Sequence, residues 1–131
     1  MREIKFRGLR VDGNGWVYGG VVYGKSGNVY ILQGNDTEIV KDDCLEVNKE
    51  TVGQFTGLKD KSGNEIYEGD IVTIKSYNFP YQEKEKFRIV YSQEDMMFKF
   101  VSIENQREYD KYGFHSIEII GNIHENPELC K

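Results

Sequence analysis

Clusters of glycine, asparagine and aspartate interrupt this chain roughly every 8 to 12 residues, a rhythm that suits the short strands of a sandwich or small barrel. Asp12-Gly13-Asn14-Gly15 and Lys25-Ser26-Gly27-Asn28 are hairpin signals, because Gly and Asn accept the positive φ that tight turns require. Gly34-Asn35-Asp36 breaks the chain again. Between these breaks lie 16–23, 29–32 and 37–40, runs dominated by β-branched and aromatic residues that favour strands. Alanine, the strongest helix former, is absent from all 131 residues. Near the start, Ile4 and Phe6 alternate with Lys5 and Arg7, the period of a half-buried strand. Residues 1–50 therefore read as an antiparallel β-meander.

The pattern continues beyond that point. Residues 52–56 form a short strand candidate, followed by a glycine-punctuated loop over 57–64. Glu68-Gly69-Asp70 is a tight turn into the apolar strand Ile71-Val72-Thr73-Ile74. Residues 87–91 and 96–102 read as paired strands around Ser92-Gln93-Glu94-Asp95, and 117–123 as a last strand interrupted at Gly121. The one stretch with helical character is 104–112, so at most one short helix is expected.

One segment is distinctive in its own right. Val52-Gly53-Gln54-Phe55-Thr56-Gly57-Leu58-Lys59-Asp60-Lys61-Ser62-Gly63-Asn64-Glu65-Ile66-Tyr67-Glu68-Gly69-Asp70-Ile71-Val72 resembles the hallmark of the YopX family of phage and prophage proteins. The opening Arg2-Glu3-Ile4-Lys5-Phe6-Arg7 and the closing Ile119-Ile120-Gly121-Asn122-Ile123-His124-Glu125-Asn126-Pro127-Glu128-Leu129 resemble that family's two ends. The resemblance implies a phage or prophage origin and a predominantly β fold, and it implies no activity. Residues 24–48 and 76–112 carry no such signature.

The signature also has a physical reading. Gly57, Gly63 and Gly69 fall at equal intervals, each where a turn needs an unobstructed backbone. The turn after Tyr67, Glu68-Gly69-Asp70, is similar to the entry turn of SH3-like small barrels. In that reading Asp70 accepts hydrogen bonds from nearby backbone amides, while Ile71, Val72 and Ile74 fill the barrel. The expected fold is thus mainly β: an N-terminal meander over 1–50 packed on a C-terminal SH3-like small β-barrel over 51–131.

Charge narrows the functional classes. The formal net charge is -5, against a general nucleic-acid binder, which needs clustered Lys and Arg to displace counterions. No apolar run approaches the length of a signal peptide core or a membrane span. A cytoplasmic protein of a bacterial host, with reduced thiols, is expected.

Candidate chemical groups are sparse. Acidic residues cluster at Asp36, Glu38, Asp42 and Asp43, and again at Glu65, Glu68 and Asp70, but neither set has calcium-loop spacing. His115, His124 and Cys130 match no zinc signature. Cys44 sits among Asp42, Asp43 and Glu46, which raise a thiol pKa rather than lower it, so it reads as a buried structural thiol. There is no nucleophile elbow, phosphate-binding glycine loop or H-E-x-x-H. No enzyme, metal or cofactor is expected.

One stretch invites a binding role. Tyr77, Phe79 and Tyr81 alternate in a loop beside Lys84, Lys86 and Arg88. Aromatics beside cations serve protein interfaces, where Tyr and Arg are enriched, and they also stack unpaired bases. Alternation equally suits one face of a strand extension. The expected function is a phage accessory protein that binds a protein partner, itself included as a homo-oligomer. The alternative is single-stranded nucleic-acid binding through the Tyr77 to Arg88 region.

Overall fold

The structure, a computed structural model, describes residues 3–33, 44–76, 85–110 and 114–131. The fold is mainly β with antiparallel pairing, as the β-branched and aromatic composition predicts. The chain divides into two compact units, Met1–Phe55 and Thr56–Lys131.

The first unit holds strands β1 (Phe6–Leu9), β2 (Trp16–Tyr23), β3 (Val29–Leu32) and β4 (Cys44–Val47), and the start of β5 (Gly53–Lys59). The turn between β1 and β2 forms as the sequence predicts: Asp12 Oδ1 accepts the Asn14 N–H at 3.0 Å. That amide holds the Asp12 carboxyl below its ordinary pKa. Strand β2 changes partner midway, pairing with β1 through residues 16–19 and with β3 through residues 20–23. Gly19, at φ 157, makes the switch: a Cβ there would lie 1.9 Å from the Leu32 carbonyl oxygen.

Alternation along these strands sends Val17, Val29, Ile31 and Val47 into one core, with Phe6, Val21, Leu45 and Val52 around it. The sheet curls until β4 meets the residues just after β1, while β1 itself also pairs with the start of β5. Arg10 bridges to Val47, the Val11 N–H donates to Glu46 O, and the Asn48 N–H donates to Leu9 O at 2.8 Å. A 3-10 turn at Lys49–Thr51 seals this seam, where the buried Thr51 hydroxyl donates to Asn48 O and accepts the Leu9 N–H.

The second unit contains the end of β5, then β6 (Glu65–Tyr67), β7 (Asp70–Ser76), β8 (Lys86–Ser92), β9 (Met97–Ser102), β10 (Glu108–Tyr109) and β11 (Phe114–Asn122). Five of these form a sheet in the order β10-β9-β8-β7-β11. Its core is Ile66, Val72, Ile74, Phe87, Ile89 and Phe100, with Leu58 and Ile119 packed against it. The β5–β6 hairpin thus covers one sheet face through Leu58 and Ile66. Flat, the outer strands would stand about 19 Å apart, yet the link from Tyr109 to Phe114 spans at most about 18 Å. The sheet must therefore bend. Register breaks in β11, between Phe114 and Ser116 and between Ile119 and Gly121, supply part of that bend.

The helix expected over 104–112 does not form in its described part. Residues 103–105 make a turn, Gln106 adopts φ 60, and Glu108–Tyr109 pairs with β9. Side chains decide this: Ser102 Oγ accepts the Asn105 N–H, and Asn105 Oδ1 accepts the Arg107 N–H at 2.9 Å. Tyr109 then packs edge-on against Phe87, with ring centroids 5.7 Å apart. Helical structure among the described residues is confined to 3-10 turns at Lys49–Thr51 and Pro127–Cys130. The strand expected over 37–40 lies outside the described residues.

Candidate functional site

The long signature segment of 52–72 is the natural first place to look for a site, and its polar residues are spent on the fold. Gly57, Gly63 and Gly69 have φ of 87, 86 and 93, the positive values their spacing suggests. Asp60, only 8% exposed, closes the β5–β6 turn: its Oδ1 accepts the Ser62 and Asn64 N–H groups, each at 2.9 Å. Its Oδ2 reaches across to the Ile119 N–H of β11 at 3.3 Å. The Lys61 N–H adds a second tie, to Ile117 O at 2.8 Å. Burial pushes the Asp60 carboxyl up, but the Asn64, Ile119 and Ser62 amides outweigh it and hold the pKa below its ordinary value.

Asp70 works similarly. It is 2% exposed and accepts the Tyr67 N–H at 2.8 Å, as the turn chemistry predicts. The Tyr67 hydroxyl is 3.1 Å from Glu65 Oε1. Gly69 joins two strands through its backbone, donating to Ile89 O and accepting from the Ile123 N–H. The signature is a set of joints between the β5–β6 hairpin, β8 and the end of the chain. The closing segment is another: Asn122 Oδ1 accepts the His124 and Glu125 N–H groups, and its amide donates to Glu125.

A surface with unspent character lies beside that scaffold. Between the β5–β6 and β8–β9 hairpins is a cleft of about 180 Å³. Thr56 and Leu58 of β5, Ile66 of β6, Ile89 of β8 and the 97–100 stretch of β9 line it. Its walls are mostly apolar, and the Thr56 hydroxyl already donates to Ile66 O and accepts the Leu58 N–H. Of the lining residues Met97 is 39% exposed, and the lining Phe98 packs edge-on against the Tyr91 ring at 5.2 Å. The neighbouring turn residue Met96 is 76% exposed.

Lys99 also borders the cleft, its ammonium 2.6 Å from Asp110 and 3.3 Å from Asp95. The Asp110 hydrogen bond, with help from Asp95, holds it above its ordinary pKa against the desolvation that lowers it. A separate polar depression of about 300 Å³ lies in the first unit, lined by Ser26 to Val29 and Glu46 to Glu50. It mixes two acids with one lysine and converges on no buried polar group.

Of the basic and aromatic strip expected to bind, Tyr77, Phe79, Tyr81 and Lys84 lie outside the described residues. Lys86 and Arg88 alternate with buried Phe87 and Ile89, which places both on the sheet face opposite the core. Arg88 donates to Gln106 Oε1 at 2.9 Å.

The remaining candidates fall apart in space or lie elsewhere. Asp36, Glu38, Asp42 and Asp43 are outside the described residues, as is the side chain of His115. Cys44 is half-buried and Cys130 exposed, both as free thiols, so Cys44 is less enclosed than expected. Among the described residues no three His, Cys, Asp or Glu side chains gather as a metal-binding group. Nor is any helix among them long and apolar enough to cross a membrane. Sequence reading missed the cleft, because Met96 and Met97 look like ordinary strand residues until two hairpins are set beside each other.

Comparison with known proteins agrees with the fold. The crystal structure of protein EF1440 from Enterococcus faecalis matches at a TM-score of 0.60, with 23% identity and complete coverage of both chains. At that identity the likeness speaks to fold alone. No curated protein matches the chain. The family model described as YopX protein matches residues 5–131, which is nearly the whole sequence. The chain belongs to the YopX family.

Proposed function

We propose that this chain is a non-catalytic accessory protein of a phage or prophage, acting in the bacterial cytoplasm by binding another protein. The cleft between the β5–β6 and β8–β9 hairpins is the place where that partner seats an apolar side chain. One observation carries the reading. At about 180 Å³ the cleft falls below the roughly 300–1,000 Å³ of sites that enclose small molecules, yet its lining is mostly apolar and includes Met97, which is 39% exposed. Methionine is favoured at protein interfaces, where it adapts to irregular partners. The polar groups at the cleft are already paired: Thr56 to the backbone, Lys99 to two aspartates. This is the chemistry of adhesion rather than of bond making.

The test is capture of partners from host lysate by the wild type and by Met97→Asn, with and without nuclease. A partner held by the wild type, reduced about fivefold by the substitution and indifferent to nuclease, supports the reading; losing the exposed methionine contact costs ~1 kcal/mol. A partner retained equally by Met97→Asn refutes the cleft as the site. Loss on nuclease treatment favours the strip containing Lys86 and Arg88 as a single-stranded nucleic-acid site. Sedimentation of the purified chain reports whether a second copy is the partner.

A further inference from the structure

The turn between β1 and β2 carries two side chains that can react with the chain's own backbone, and the fold treats them differently. Asp12 and Asn14 each precede a glycine, whose missing Cβ lets the following amide nitrogen approach the side-chain carbonyl. Asp12 is locked. Its carboxyl receives the Asn14 N–H and the Arg10 guanidinium, which hold it ionised and below its ordinary pKa, and a carboxylate is a poor electrophile. The Gly13 N–H that would attack it is engaged with Arg10 O at 3.2 Å.

Asn14 has neither protection. Its amide is uncharged and exposed, and the Gly15 N–H donates to no backbone oxygen among the described residues. A Cβ built on Gly15 would meet nothing within 4 Å, so no neighbour obstructs ring closure there. The Asn14 side chain touches the Asp12 carboxylate at the exposed surface, where water replaces such a bond at little cost.

We infer that Asn14-Gly15 is a self-modification site, which converts to isoaspartate and aspartate through a cyclic imide. The Gly15 nitrogen gives its proton to solvent and bonds to Asn14 Cγ, an intramolecular attack favoured by proximity. The Cγ–Nδ2 bond then breaks and ammonia leaves. Water opens the ring at either carbonyl, giving aspartate, or isoaspartate with the main chain rerouted through Cβ and Cγ. Either product places a second carboxylate beside Asp12. Isoaspartate also lengthens the main chain next to the 2.9 Å bond from the Arg10 N–H to Gly15 O, which closes the β1–β2 hairpin. The first unit thus carries a covalent clock that loosens its leading hairpin with age.

The experiment ages the full, folded chain in mildly alkaline buffer made with water enriched in heavy oxygen, and maps its peptides by mass spectrometry. Asn14 should convert several times faster than Asn28 and Asn64, which are also exposed in turns but precede Val29 and Glu65 rather than glycine. The product should mix isoaspartate with aspartate, carry one heavy oxygen, and form more slowly as pH falls. Amide exchange at Arg10 should quicken in the aged protein. It should stay slow in Asn14→Gln, whose longer side chain closes a larger ring less readily. Asn14 converting no faster than Asn28 and Asn64, or only once urea unfolds the chain, overturns the inference. Isoaspartate forming at Asp12 as fast as at Asn14 overturns it too, since the fold would then spare neither.

Discussion

Replacing Asp60 with asparagine changes almost no volume and removes one charge from a buried joint. In the native chain, Oδ1 takes two backbone N–H groups and Oδ2 takes the Ile119 N–H from another strand. An asparagine oriented to keep the first pair would point its own N–H₂ at the Ile119 amide, setting donor against donor. Turning the two retained bonds from charge-assisted to neutral costs about 1 kcal/mol each, and stranding a buried donor about 1–3 kcal/mol. A loss of about 3–5 kcal/mol is expected, about 10–20 °C in melting temperature for a protein of this size. Urea unfolding measures it, and amide exchange at Ile119 should accelerate sharply.

The same carboxylate predicts an acid signature. Its folded pKa is below the ordinary carboxylate value of 3.8, so its contribution is complete above that pH. It is lost as pH falls through 3.8 toward the depressed folded value, because protons then bind the unfolded chain preferentially. Stability of Asp60→Asn should fall less steeply over that interval. A variant within about 0.5 kcal/mol of wild type, with the same acid dependence, would refute the joint, since that is the range of an ordinary surface change.

Other positions separate scaffold from surface. Gly69→Ala places a Cβ 3.3 Å from His124 Nε2 at φ 93 and should cost about 1–2 kcal/mol by urea unfolding. Gly19→Ala is harsher, with its Cβ 1.9 Å from a backbone oxygen, and the soluble folded yield should collapse. Asn122→Ala frees the His124 and Glu125 amides; a cost of about 1–3 kcal/mol is expected, with faster exchange at both. Met97→Asn should unfold within about 0.5 kcal/mol of wild type, so any partner it loses is lost through contact rather than through folding.

Turn chemistry was readable in the sequence because it is local. Asp12-Gly13-Asn14-Gly15 and Glu68-Gly69-Asp70 carry their conformations in their own side chains and missing Cβ atoms, and both fold accordingly. What escaped was long-range. Nothing near Arg10 announces that it will bridge Val47 and draw the end of β1 and β4 together. The stretch over 104–112 looks helical residue by residue, yet Tyr109 gains more by packing on Phe87 across the sheet than a short polar helix would gain alone. The role of Asp70 was legible for the same reason as the turns. The second role of Asp60 was not, because its partner Ile119 lies far along the chain.

The division between joints and surface bears on how function is sought in this chain. In the 52–72 segment the positive-φ glycines shape the turns and the buried carboxylates Asp60 and Asp70 accept backbone N–H groups. Sharing such a segment transmits a fold, since each residue answers a need of the backbone, and says nothing about a partner. The cleft, by contrast, takes five of its eight lining residues, Ile89 and 97–100, from 85–110. Its floor residues Leu58 and Ile66 come from within the signature itself. A floor fixed by joints, beneath an exposed side chain such as Met97, is how one scaffold can hold a site in place while its specificity changes. Two chains with the same joints but a different residue at 97 should therefore fold alike and choose different partners, and exchanging that side chain between them should shift partner choice without altering the fold.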